Sequence, residues 1–156
     1  MNGEMSVIVR TVTRLVYGLI IAFGFYVIMH GHLTPGGGFQ GGAVVATAFA
    51  LLLVAFGAAG IKGKLNAHFL QSMEEVGALA FLALGFLGIG TTFFYNLLAN
   101  HGPIFGRPDV IGSNPGFLNT AGTLVWMNWA VGLKVMTGLA SVVVVMLIGA
   151  RKEEGE

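Results

Sequence analysis

Lys134 is the one charged residue between Trp126 and Ile148, in a stretch otherwise apolar enough to cross a membrane. An ammonium held in hydrocarbon costs about 2.5–3.5 kcal/mol on insertion scales, less where the side chain snorkels to an interface. Two roles suit such a group. It can tune ion or proton movement at a hydrated protein interface, or it can make a static contact to a partner's carboxylate or to the membrane surface. Glu74 and Glu75 form the second candidate group. Ser72-x-x-Glu75 fits a capping box, with the serine at a helix N-cap, and this accounts for Glu75. Glu74 is less committed and becomes the candidate carboxylate at an ion entrance. His32 has the corresponding rank on the opposite side of the membrane. His30, His32 and His101 could in principle hold a metal, but imidazoles bonded to backbone or lipid headgroups are the simpler account. No nucleophile–base pair and no closed metal site is recognisable, so no residue is assigned a catalytic, cofactor-binding or metal-binding role.

The elements that must position these groups follow from composition. Of the 156 residues, 55% are hydrophobic and 10% charged, with a mean hydropathy of +0.82. Soluble domains carry about 25% charged residues, so water does not surround most of this chain. A net charge of +1 excludes a nucleic-acid binder acting through bulk positive charge. The absence of cysteine excludes disulfides, thiolate zinc sites and cysteine-ligated iron–sulfur clusters.

About 20 apolar residues span a bilayer core. Four runs meet that length, at 12–29, 41–61, 76–98 and 126–148. They do not alternate as barrel strands do. The expectation is therefore an all-α, polytopic membrane protein, one domain over 1–156 with four transmembrane helices and a long connection at 100–125. Arg10 and Arg14 before the first run could belong to a signal peptide, but no small-x-small cleavage site follows, which makes it a retained helix. In this frame Lys134 is the only charge away from a helix end. Trp126 and Trp129 mark the headgroup level, and Lys134 lies about 7.5 Å below Trp129.

Lys and Arg near the helix ends predict the orientation. Arg10, Arg14, Lys62, Lys64, Arg151 and Lys152 fall on one side, against Arg107 alone on the other. Both termini are expected in the cytoplasm, the 100–125 connection outside, and the protein in the cell membrane. His30, His32 and His101 then face outward and His68 inward. In the outer connection Asp109 pairs locally with Arg107, and Asn114-Pro115 reads as a helix start. Thr91, Thr92 and Asn96 could hydrogen-bond within the bundle.

Residues 30–42 read His-Gly-His-Leu-Thr-Pro-Gly-Gly-Gly-Phe-Gln-Gly-Gly. The Lys-Ser or Lys-Thr of a phosphate loop is missing. Pro35 stops a helix, and the glycines permit unusual dihedrals and close approach at a helix entry buried against protein. Gly37/Gly41 and Gly38/Gly42 have the small-xxx-small spacing of packed membrane helices, and so many small residues imply a partner subunit.

This stretch resembles the signature of the MnhB/MrpB family, small membrane subunits of multisubunit Na+/H+ antiporters. The family pattern is similar to G-H-x-x-P-G-G-G-F-x-G-G, here carried by Pro35, Gly36, Gly37, Gly38, Phe39, Gly41 and Gly42. Size and four-helix plan match as well. Asn128 with Gly132-Leu133-Lys134-Val135 looks like the branch found in archaeal respiratory complexes and energy-converting hydrogenases. The resemblance implies a non-catalytic subunit of a Na+/H+-translocating module that moves Na+ and H+ and binds no cofactor of its own. Its expected partners are other membrane subunits, the lipid bilayer and, through those subunits, a peripheral hydrogenase or redox arm. The competing readings are a stand-alone Mrp-type antiporter subunit and a purely structural scaffold.

Overall fold

The computed structural model describes residues 5–33, 35–60, 67–99 and 121–153. Expectations placed on His101, Arg107, Asp109, Asn114-Pro115, Lys62 and Lys64 lie outside these residues. Among these described residues four helices form: α1 (Val7–Met29), α2 (Gly38–Gly60), α3 (Ala67–Phe86) and α4 (Thr123–Glu153). All four are long and apolar enough to cross a membrane.

Helix α1 begins five residues before the apolar run that announced it. The Ser6 hydroxyl accepts from the Val9 N–H at 3.4 Å and caps the first turn, so Arg10 and Arg14 lie inside the helix. The Arg14 guanidinium sits over the Phe56 ring of α2, 5.1 Å from its centroid. At the other end, the His30 N–H donates to the Tyr26 carbonyl at 3.0 Å, and its ring stacks on Tyr26 at 4.1 Å. Helix α2 keeps helical geometry up to Gly57, whose φ of 65° and ψ of 174° break it.

The third helix departs most from expectation. It occupies Ala67–Phe86 rather than 76–98, and residues 87–99 form a series of turns. Apolarity alone located that run, and apolarity does not guarantee helix. Gly85, Gly88 and Gly90 weaken helical continuity, and the chain folds back on itself. The Phe94 N–H donates to the Gly85 carbonyl at 3.0 Å, with the Phe93 and Phe94 rings over Gly85. Two consequences matter for the site. Ser72 cannot cap a helix that starts five residues earlier, and both glutamates move from a helix end into its body.

The helices pack in the order α1, α2, α4, α3, with α1 touching α4 only slightly and no packed contact between α1 and α3 among the described residues. The small residues make this order. A Cβ on Gly41 would stand 2.7 Å from the Gly24 carbonyl of α1, whereas one on Gly42 would stand 2.8 Å from the Gly132 carbonyl of α4. The overlapping small-xxx-small pairs thus serve two seams, Gly41 toward α1 and Gly38 with Gly42 toward α4. Gly77 of α3 meets the α4 backbone at Ala130 and Lys134. Leu53, Leu70, Ala140 and Val144 form a buried cluster joining α2, α3 and α4. Two buried hydroxyls of α4 are satisfied by its own backbone: Thr137 donates to the Leu133 carbonyl at 2.7 Å and Ser141 to the Gly138 carbonyl at 2.8 Å.

Candidate functional site

Lys134 and Glu74 meet across the α3–α4 seam. Lys134 Nζ donates to Glu74 Oε1 at 2.9 Å. The seam admits this contact because its backbones approach closely. A Cβ on Gly77 would lie 2.8 Å from the Lys134 backbone nitrogen, and one on Gly138 would lie 3.1 Å from Glu74 Cδ. Side chains at both positions are absent, so a lysine and a glutamate can reach each other beside the crossing.

The pair lies well inside the helices. Glu74 is seven residues beyond Ala67, about 10 Å along α3. Lys134 is next to Val135, the midpoint of the apolar window Thr123–Leu147. Helix α4 extends six residues beyond Trp129 to Thr123, so Lys134 lies farther from the helix start than its distance from Trp129 implied. Lys134 is therefore not a solitary intramembrane charge, and Glu74 is not a helix-end carboxylate. The side chains keep 47% and 33% of their surface exposed, so the bundle covers the pair on one side only.

The α1–α2 connection lies at the end of the bundle where α4 begins. Gly36 and Gly37 have φ of 141° and 142°, a region that disfavours any Cβ. A Cβ on Gly37 would stand 3.3 Å from the Asn128 Oδ1 of α4, so the loop seats against the Asn128 amide. Pro35 and Phe39 are exposed, while Gly37, Gly38, Gly41 and Gly42 are buried. The motif thus provides helix entry and packing. His32 is half-buried in the turn after α1 and takes no part in the ion pair. Among the described residues no three His, Asp or Glu side chains gather as metal ligands.

Two features escaped the sequence reading. The first is the partnership of Glu74 with Lys134, 60 residues apart. A lone lysine in one span and a glutamate near the start of another were the available signal, obscured by the misplaced start of α3. The second is an apolar cavity of about 540 Å³ between α1, α3 and α4, lined by Phe25, Ile28, Leu84, Trp129, Leu133 and Met136 among others. It exists because α1 and α3 flank α4 without touching.

These features define a multi-pass membrane protein with a charged pair inside its transmembrane helices. A family described as a domain related to the MnhB subunit of Na+/H+ antiporter matches residues 8–141, and the chain belongs to it. An uncharacterized protein of Methanocaldococcus jannaschii is 39% identical over 142 residues, covering 89% of this chain and 51% of that protein. A putative antiporter subunit mnhB2 of Staphylococcus haemolyticus is 39% identical over 110 residues, 69% of this chain and 77% of that one. A chain of the membrane-bound sulfane sulfur reductase, an archaeal respiratory membrane complex, superposes with a TM-score of 0.74 at 32% identity, covering 92% of this chain and 59% of that chain. This chain therefore spans about half the length of the archaeal relative and about three fifths of the respiratory-complex chain. The family expected from residues 31–42 is the family found.

Proposed function

We propose that this chain is a non-catalytic subunit of a multisubunit Na+/H+-translocating module, in the membrane arm of a redox-driven respiratory complex of archaeal type. Na+ and H+ are the transported ions, and the chain binds no cofactor of its own. The observation that carries this reading is the Lys134–Glu74 pair within the membrane-spanning helices. Intramembrane ionisable residues are expensive and characteristically line ion or proton paths. The pair is open on one side, so the rest of the path is formed by neighbouring membrane subunits. The likeness to a respiratory-complex chain supports the redox-driven setting, and the lack of cysteine assigns any iron–sulfur chemistry to other subunits. In this reading the protein resides in the cell membrane with both termini in the cytoplasm, and a peripheral redox arm reaches it through other subunits.

The test replaces Lys134 by Ala in the intact complex and measures Na+/H+ exchange in inverted vesicles, with assembly followed on native gels. Lost exchange in an assembled complex supports the pathway role. Unchanged exchange overturns it. A scaffold reading draws on the pairing itself, since Lys134 is held by a carboxylate of its own chain; loss of assembly in the same variant favours it. Mass spectrometry of the native complex separates the two settings. Iron–sulfur and redox subunits place the chain in a redox-driven arm, whereas hydrophobic antiporter subunits alone place it in a gradient-driven exchanger.

A further inference from the structure

The outward face of α3 changes character halfway along. His68, Gln71, Ser72 and Glu75 follow the i, i+3, i+4, i+7 spacing of one helical face, and all four are exposed. The same face continues as Leu79, Leu82 and Phe86, exposed and apolar. The opposite side of the helix carries Leu70 and Gly77, buried against the bundle. A polar outer face would need no explanation outside hydrocarbon, but the packing puts it alongside membrane-spanning segments. Leu70, inside the polar half, packs with Leu53 and Val144. Both of those lie within the apolar windows of α2 and α4, Gly38–Gly57 and Thr123–Leu147. Glu74 meets Lys134 beside the midpoint of the α4 window. The polar stripe is thus level with apolar stretches of its neighbours.

Charge says what covers it. Four ionisable groups lie along this band: Glu74, Glu75, Lys134 and His68, which is two helical turns from Glu75. Lys134 is taken by Glu74. That leaves the carboxylate of Glu75 on the exposed face, with no cation of the described residues paired to it. Acyl chains offer a carboxylate neither hydrogen bonds nor a counter-charge. A helix bearing a basic residue offers both.

We infer that the stripe His68, Gln71, Ser72 and Glu75 is the docking face for a membrane-spanning helix of another subunit, which places a Lys, Arg or His side chain against Glu75. The inference rests on the multisubunit reading above, and it adds the face and the chemistry of the neighbour.

The chain contains no cysteine, which allows a clean test in the assembled complex. A single Gln71→Cys variant carries a maleimide–benzophenone photo-crosslinker in native membranes, and Leu19→Cys on the exposed face of α1 is the control. The expected Gln71 product joins an apolar helix of a different subunit, within about one helical turn (~5 Å) of a Lys, Arg or His. Adding Glu75→Lys lowers that product at least about tenfold and Glu75→Gln lowers it less, while the Leu19 product is unchanged. The near-isosteric Glu75→Gln keeps the test valid if the charge reversal prevents assembly. Adducts to lipid alone, to a second copy of this chain, or to a segment without a basic residue overturn the inference, as does a product indifferent to Glu75→Lys. The two readings fail separately. Lost exchange in Lys134→Ala without the Gln71 product removes the docking face and leaves the transport role. The product with exchange unaffected by Lys134→Ala does the reverse.

Discussion

Gly138 of α4 faces the carboxylate of Glu74 across the seam, with room for a hydrogen and little more: a Cβ there would stand 3.1 Å from Glu74 Cδ and 3.2 Å from Oε1. The ion pair is held at a crossing whose backbones are close, and the two glycines at that crossing differ in what they meet. Gly77 faces backbone, 2.8 Å from the Lys134 nitrogen and 2.9 Å from the Ala130 carbonyl. Backbone cannot turn aside as a carboxylate can. Gly77→Ala should therefore push α3 from α4 and destabilise the bundle by about 1–3 kcal/mol, whereas Gly138→Ala should cost less. Thermal unfolding of the two variants in detergent gives the order, and equal midpoints would contradict this account of the seam.

The pair itself should be strongly non-additive. Removing Lys134 strands a carboxylate between membrane helices, and removing Glu74 strands an ammonium; removing both strands nothing. Lys134→Met and Glu74→Met should each destabilise, while the double variant recovers much of the loss, with a coupling of about 1–3 kcal/mol. Partial exposure keeps the figure below that of a fully buried pair. Additive single effects would mean that the 2.9 Å contact contributes little in the membrane.

What the sequence made legible was set by what each signal measures. Apolar run length responds to the bilayer, so four spans and the membrane class were readable, as was the family from residues 31–42. Helix continuity is a different property. The run ending at Leu98 is uncharged, yet its second half is turn, because three glycines and the fold-back onto Gly85 outweigh hydropathy. That single slip of register hid the site. With α3 started at Val76, Glu75 became a capping residue and Glu74 a carboxylate at an ion entrance; with α3 started at Ala67, both lie in its body and one reaches Lys134. Pairings between residues 60 apart leave no periodic trace in one sequence.

Asn96 shows the same limit at another position. From the turns after α3 it serves as a remote cap for α4. Its Oδ1 accepts from the Thr123 N–H at 2.9 Å and from the Thr123 hydroxyl at 2.8 Å, and its Nδ2 donates to the Ala121 carbonyl at 2.9 Å. The first N–H groups of any helix lack internal acceptors. Asn96→Ala should cost about 1–2 kcal/mol and expose the first turn of α4 to hydrogen exchange. Asn96→Asp should retain the Thr123 bonds and lose only the donor. Unchanged exchange at Thr123 in the alanine variant would remove the capping role.

Gly36 separates backbone strain from crowding. Its φ of 141° is a conformation that L residues rarely adopt, yet a Cβ there would meet nothing nearer than a Val27 methyl at 3.4 Å. Space permits alanine; the backbone does not. Gly36→Ala should therefore destabilise by about 1–3 kcal/mol, with the perturbation confined to the α1–α2 connection and its seat on Asn128. Gly90 is the control, because it has open space around it and no positive φ, so Gly90→Ala should change stability little. D-Ala introduced at position 36 by semisynthesis adopts positive φ readily and should restore most of the stability that L-Ala removes. If D-Ala and L-Ala destabilise alike, the glycine at position 36 is required for close approach, and strain is not the reason it stands there.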